Sequence, residues 1–213
     1  MDESQRIVLE RILRNTRKAQ NLLQQMIEIF RCEAKVFQPE LFYPETVLKE
    51  ALMDILEVNP AKDMENLCQV ESIEKFKQLL AGQGIFFEVS GRYKEEPFAH
   101  DPRKVQQILR NLISNGMKYR RQRLSITIEG DRDLLMAVED DGRGIPLDGQ
   151  KSIFERFIRL SNQEMDQISG LGLGLSGVKS LVEAMEGEIT LISREGLGSR
   201  FMVRIPPLNI KER

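Results

Sequence analysis

Between Asp140 and Gly174 the chain runs for some thirty-five residues with six glycines and little regular pattern, flanked on both sides by strongly periodic segments. Connections longer than ~15 residues are uncommon in a compact domain, and those that occur are usually functional or disordered. The rest of the chain must therefore form a scaffold that tolerates a long excursion, one that leaves a strand end and closes on the start of a helix.

The flanking pattern shows what that scaffold is. Ahead of the excursion, alternating apolar positions predict strands at about 124–129 and 134–139, joined by a hairpin turn at Gly130-Asp131-Arg132-Asp133. Behind it come a helix from Leu175 to Met185 and a second hairpin (about 188–193 and 199–205), stopped by Pro206-Pro207. Upstream, Asp101-Pro102 is a helix start, with Asp as N-cap and Pro at the first helical position. Val105, Ile108, Leu109, Leu112 and Ile113 then supply one apolar face. Pro39 and Pro44 mark a break, after which a helix from about Glu45 places Val47, Leu48, Ala51, Leu52 and Ile55 together. Residues 57–72 lack periodicity and read as a loop or insertion; a short helix near 72–81, Gly82 and Gly84, and a strand from Ile85 to Val89 follow. The order predicts an α+β fold, a two-layer α/β sandwich with helices on one face of a mixed sheet.

Residues 4–37 read as one long helix preceding this domain. Leu9, Ile12, Leu13, Thr16, Leu22, Leu23, Met26, Ile27, Phe30 and Phe37 recur at helical spacing, with no Pro or Gly until Pro39. A helix of ~34 residues is about three times the usual length. Its apolar seam calls for another helix, and a second chain is the expected source.

Composition narrows the chemistry. A single histidine, His100, excludes most zinc sites and leaves little room for a Ser-His-Asp or Cys-His enzyme. Acidic residues (33) slightly outnumber Lys and Arg (31), which gives no reason to expect nucleic acid. The two cysteines, Cys32 and Cys68, are far apart, so a reduced, cytoplasmic setting is expected. No apolar run approaches the ~20 residues of a membrane span. His100, just before the N-cap, reads as an exposed loop residue.

Asn111, Asn115 and Lys118 are spaced i, i+4, i+7 and share a stripe beside the apolar face of the helix after Asp101. Asparagine is poor in a helix interior, so two in register with a lysine need a reason. Amide oxygens suit a hard cation such as Mg²⁺, and an ammonium offsets phosphate charge. The sequence Asp140-Asp141-Gly142-Arg143-Gly144-Ile145 ends a strand with a carboxylate, an acceptor for an exocyclic amine such as adenine's. Gly170-Leu171-Gly172-Leu173-Gly174-Leu175 leads into a helix whose first N–H groups can face a phosphate. Gly172 to Gly177 also matches the dinucleotide fingerprint G-x-G-x-x-G, but the polar stretch from Ser161 to Ser169 supplies no preceding strand.

Together these segments resemble the ATP-binding domain of sensor histidine kinases, within the wider family of gyrase, Hsp90, histidine kinase and MutL ATPases. The likeness runs from about Leu41 to Pro207. It rests on an N-box from Asn111 to Tyr119, a first glycine box from Asp140 to Ile145, an F-box from Phe154 to Arg159, and a second glycine box from Gly170 to Leu175. The resemblance implies a Bergerat-type fold over 39–208, with an ATP lid at about 146–170 and a tail at 209–213. It implies that Asn115, with Asn111, holds Mg²⁺ on the ATP phosphates, that Lys118 contacts those phosphates, and that Tyr119 borders the nucleotide. Asp140 would take the adenine amine with Ile145 beside the ring and Gly142 and Gly144 shaping the turn. Arg159 would reach the γ-phosphate, and Gly170, Leu171, Gly172, Leu173, Gly174 and Leu175 would form the hinge and phosphate cradle. Phe154 and Phe157 are expected to anchor the lid in apolar surface. Hydrolysing members carry a glutamate four residues before the metal-binding Asn; Asn111 stands there, which favours a kinase over a simple ATPase.

Residues 1–38 resemble the second helix of a dimerisation and histidine-phosphotransfer hairpin, whose first helix with its histidine box is absent from these residues. The expected partners are ATP, a response-regulator receiver domain and a second copy through the N-terminal helix, with no nucleic acid and no membrane contact by this segment. Two departures stand out: Asp141 where the sensor kinases commonly have Asn, its added charge expected to lower nucleotide affinity, and Leu171 where they commonly have Thr or Ser. The alternative functions are a degenerate kinase acting as a dimeric adaptor, or a serine kinase of the anti-sigma type.

Overall fold

The computed structural model describes residues 37–58, 72–155 and 174–208, together with Gln5, Arg6, Val8, Leu9, Ile12 and Thr16. Those six are helical, but the long N-terminal helix as a whole lies outside the described residues, as do Cys32, Cys68 and most of the 57–72 segment.

In chain order the elements are β1 (Glu40–Phe42), α1 (Pro44–Val58), α2 (Ile73–Gly82), β2 (Ile85–Val89), β3 (Phe98–His100), α3 (Pro102–Tyr119), β4 (Leu124–Glu129), β5 (Leu134–Asp140), α4 (Gly174–Ala184), β6 (Glu188–Arg194) and β7 (Gly198–Ile205). Two single 3₁₀ turns, Arg92–Lys94 and Ser152–Phe154, complete the list. Strands β2-β4-β5-β7-β6 form one sheet, with β2 parallel to β4 and every other pair antiparallel. Helix α3 lies against α1, α4 and β5, and α4 against β6, so the helices occupy one face. This is the two-layer arrangement the element order predicts.

The patterning explains the layering. Ile126, Ile128, Met136, Val138, Phe201 and Val203 alternate inward and are buried, as are Val105, Ile108, Leu109, Leu112 and Ile113 of α3. Each such side chain contributes roughly 1.5–3 kcal/mol on burial. The opposite face carries Thr127, Leu135, Arg200 and Met202, with Arg200 paired to Glu139 at 3.6 Å and Arg204 to Asp133 at 2.8 Å. Exposed pairs of this kind contribute little. Among the described residues no helix is long and apolar enough to cross a membrane.

Strands β1 and β3 have no counterpart in the predicted elements. They pair antiparallel, Glu40 opposite His100 and Phe42 opposite Phe98, outside the main sheet. Phe98 sits edge-on to Phe42 (centroids 5.9 Å) and to Tyr93 (5.1 Å). This cluster overturns the reading of His100 as an exposed loop residue. His100 is fully buried at the end of β3, stacked with Phe98 and met edge-on by Phe37 at 5.5 Å. Its Nδ1 accepts the Asp101 N–H at 2.8 Å, which leaves the proton of the neutral ring on Nε2.

Asp101 is the N-cap the sequence predicts, and more. Its Oδ1 accepts from the N–H groups of Arg103 (3.1 Å) and Lys104 (3.2 Å), while Oδ2 accepts the Gln38 N–H at 3.0 Å. Leu208 N–H donates to the Ala99 carbonyl at 2.8 Å. One carboxylate thus caps α3 and ties down the segment before β1. Asp101→Ala is expected to cost about 1–2 kcal/mol in urea unfolding, with Asp101→Asn recovering most of it. An unchanged midpoint in Asp101→Ala would remove the carboxylate from the cap.

Candidate functional site

Helix α3 carries Asn111, Asn115, Lys118 and Tyr119, all half-buried, beside its apolar face. The Asn111 amide donates from Nδ2 to the Gln107 carbonyl at 2.9 Å, one turn back. Its Oδ1 lies 3.4 Å from where a Cβ on Gly174 would stand, so the first residue of α4 faces the Asn111 end of the stripe. At the other end, the Lys118 ammonium sits 5.2 Å from the centre of the Tyr119 ring.

Asp140 ends β5 with only 7% of its surface exposed. Its Oδ1 accepts the Gly142 N–H at 2.9 Å. Burial raises its carboxyl above the ordinary value of 3.8, with the Gly142 N–H, Asp141 and the Ser199 N–H acting as smaller influences of mixed sign. The turn that follows is glycine by necessity. A Cβ on Gly142 would stand 2.2 Å from the Tyr119 carbonyl oxygen, and one on Gly144 (φ 71°) would stand 2.0 Å from that of Arg194. The glycine box therefore seats against the last residue of α3. Asn111 to Tyr119 spans about 12 Å along the helix, with a buried carboxylate near one end and a helix N-terminus at the other.

Asp141 also has a structural role. Its Oδ1 accepts from the N–H groups of Arg121 (2.9 Å) and Gln122 (3.0 Å), bracing the turn between α3 and β4. Slight burial pushes its carboxyl up, but the N–H groups of Arg123, Gln122 and Arg121 outweigh this and hold it below its ordinary value.

Ile145 ends the first glycine box and packs against the core. Phe154, at the start of the F-box, sits edge-on to Phe201 with centroids 6.3 Å apart, so it anchors apolar surface as expected. Gly174 and Leu175 open α4, with Leu175 against the core. Phe157, Arg159, Gly170, Leu171, Gly172 and Leu173, and most of the 146–170 lid, lie outside the described residues.

The motif reading missed one set of residues. Ser193 on β6 accepts the Ile145 N–H at Oγ (2.8 Å), and Gln150 donates to the carbonyls of Ile145 (2.8 Å) and Ser193 (3.0 Å). The turn Gly196-Leu197-Gly198, just after β6, is the nearest sequence signal: a Cβ on Gly198 would stand 1.9 Å from the Asp140 carbonyl oxygen, so glycine there lets the β6–β7 hairpin sit against the glycine box.

A mixed sheet backed by helices, with a buried aspartate at a strand end before Gly-x-Gly and an Asn-Asn-Lys helix beside it, defines a nucleotide-handling ATPase class. The family model described as histidine kinase-, DNA gyrase B-, and HSP90-like ATPase matches residues 100–209, and the chain belongs to that family. Within it, the domain is of the sensor histidine kinase type. The chain is 40% identical over 119 residues to the circadian input-output histidine kinase CikA of Synechococcus elongatus, covering 54% of this chain and 16% of that protein. It is 35% identical over 111 residues to the sensor histidine kinase WalK of Bacillus subtilis, covering 50% and 18%. The chain thus spans less than a fifth of the length of these relatives. Among solved structures, Acinetobacter baumannii histidine kinase AdeS superposes with a TM-score of 0.66 at 21% identity, covering 98% of this chain and 87% of the other. Full-length ShkA in complex with AMPPNP gives 0.65 at 19% identity, covering 100% and 41%. At these identities the two structures support the fold.

Proposed function

We propose that this chain binds Mg-ATP and presents the γ-phosphate to a histidine on a dimerisation segment, as the catalytic part of a two-component sensor histidine kinase. The observation that carries this reading is Asp140, a desolvated carboxylate at a strand end, seated by the Gly142 N–H in a turn too tight for side chains. A buried acceptor so placed recognises an amine donor in a flat ligand, and the adenine amine fits.

In this reading Ile145 packs beside the base and Tyr119 borders it. Lys118 offsets phosphate charge, and the start of α4 at Gly174 and Leu175 offers N–H groups to the phosphates. Among the described residues no group of three His, Cys, Asp or Glu side chains could hold a metal. Mg²⁺ would be held by the Asn115 and Asn111 amide oxygens together with the phosphates it accompanies. The bound ion neutralises charge on the transferring phosphoryl group. Arg159 would approach the γ-phosphate, and Gly170, Leu171, Gly172 and Leu173 would complete the cradle as the lid closes. Residues 1–38 would serve as the dimerisation helix, 39–208 as the ATP-binding domain and 209–213 as a tail. The natural recipient downstream is a response-regulator receiver domain, and the setting is the cytoplasm, where ATP is. His100 is no acceptor in this scheme, because the folded domain covers it completely.

Calorimetry of the chain with ATP tests the reading. Asn115→Ala should weaken binding about tenfold in Mg²⁺, equivalent to ~1.4 kcal/mol, and far less in chelator. γ-Labelled Mg-ATP should then place acid-labile phosphate on a histidine-bearing dimerisation segment supplied separately, and none on His100. Absence of binding at millimolar ATP would instead favour the adaptor reading.

A further inference from the structure

We infer that Gln150 and Ser193 form a latch that positions Ile145 for the base of the nucleotide and fixes the root of the lid; the inference rests on the ATP reading above. Ile145 ends the first glycine box, and side chains hold both of its backbone polar groups. Its N–H goes to Ser193 Oγ at 2.8 Å and its carbonyl takes a proton from Gln150 Nε2 at 2.8 Å. The second Gln150 proton goes to the Ser193 carbonyl at 3.0 Å. Both groups that Gln150 meets are carbonyl oxygens, so its amide nitrogen must face them, and both its protons are used.

Ser193 is equally committed. Its one proton goes to the Gly198 carbonyl at 2.8 Å, so in its 3.0 Å contact with Ser199 Oγ it is Ser199 that donates. Ser199 lies directly opposite Asp140 in the β5–β7 register, and both are buried. A continuous polar chain therefore runs from Ser199, the strand partner of Asp140, through Ser193 to Ile145 and Gln150. It ties the residue beside the ring and the residues that follow it to the strand position opposite the amine acceptor. Partly buried networks of this kind fix geometry best when every member is satisfied, and lose it when one is removed. Gln150 and Ser193 are positioning residues: they act through Ile145 and do not themselves touch the nucleotide.

The latch acts at the base end, so its signature is discrimination between bases. Affinities of the whole chain for Mg-ATP and Mg-GTP would be measured by calorimetry, with thermal midpoints taken as a fold control. Wild type should favour ATP. Gln150→Leu should cut the ATP-over-GTP ratio about tenfold, and Gln150→Lys, which restores donors to both carbonyls, should recover most of it. A general loosening of the fold would lower both affinities and leave the ratio unchanged. If Gln150→Leu does not fold, Ser193→Ala, which removes the acceptor for the Ile145 N–H, should lower the ratio in the same direction. An unchanged ratio in a folded variant overturns the latch while the ATP reading stands. No ATP binding by wild type overturns both.

Discussion

Asp140→Asn is expected to weaken adenine-nucleotide binding at least a hundredfold, about 2.7 kcal/mol, with little change in the fold. Oδ1 is already committed to the Gly142 N–H at 2.9 Å. If the asparagine keeps its oxygen there, its NH₂ takes the place of Oδ2 and confronts the adenine amine, donor against donor. Sites built to hydrogen-bond a ligand group reject a mismatched partner strongly, because buried polar atoms are left unpaired. Guanine, with an acceptor where adenine has its amine, should lose less or even gain. Titration adds a second readout. Burial raises the Asp140 carboxyl above 3.8, so the acceptor is lost on acidification sooner than an ordinary aspartate would be. Wild-type affinity should fall as pH drops towards that raised value. Equal ATP affinity in Asp140→Asn and wild type would sink the assignment.

The second large effect concerns stability in acid. Burial holds His100 at about 4, against an ordinary 6.5. Between those values the unfolded chain takes up a proton that the folded chain refuses, so acidification favours unfolding. The contribution is intact above pH 6.5 and is lost progressively as pH falls towards 4, with a slope approaching ~1.4 kcal/mol per pH unit. Asp140 works in the opposite sense: its raised carboxyl binds a proton more readily folded than unfolded, so it offsets part of the loss at the acid end. Urea unfolding at pH 7, 6 and 5 should show wild type losing about 1–2 kcal/mol relative to His100→Asn. The asparagine keeps an acceptor for the Asp101 N–H but does not titrate. Its profile should be lower throughout, for lost ring packing, and flatter. Parallel profiles would remove His100 as the source.

What the sequence makes legible is what repeats locally. Helix α3 and the β4–β5 and β6–β7 hairpins span enough residues for their apolar period to show, and their limits agree with expectation to within a residue or so. β1 and β3 have three residues each, too few to alternate, and they exist because Phe42, Phe98 and Tyr93 pack on one another across the chain. His100 looked exposed because it sits just before the N-cap Asp101 and the helix start; what covers it includes Phe37, sixty-three positions away. The site divides the same way. The candidate residues Asn111 and Asn115 stand out because asparagine is poor in a helix interior, Lys118 because it falls in register with them, and Asp140 because it ends an apolar strand just before Gly-x-Gly. The Gln150–Ser193 contacts join residues forty-three positions apart, and no local pattern marks them. Asp141 shows a role that charge counting alone does not reveal, since its oxygens accept from the amides of the α3–β4 turn.

The strand β3 has one more consequence. Gln38 is held by Asp101 and Leu208 by Ala99, anchors two residues and so roughly 7 Å apart on one extended segment. Both ends of the domain are thus tied to the same short stretch. Joining residue 208 to residue 38 by a short glycine-serine bridge, and opening the chain at the exposed Asp131–Arg132 turn, should give a circular permutant that keeps every strand pairing.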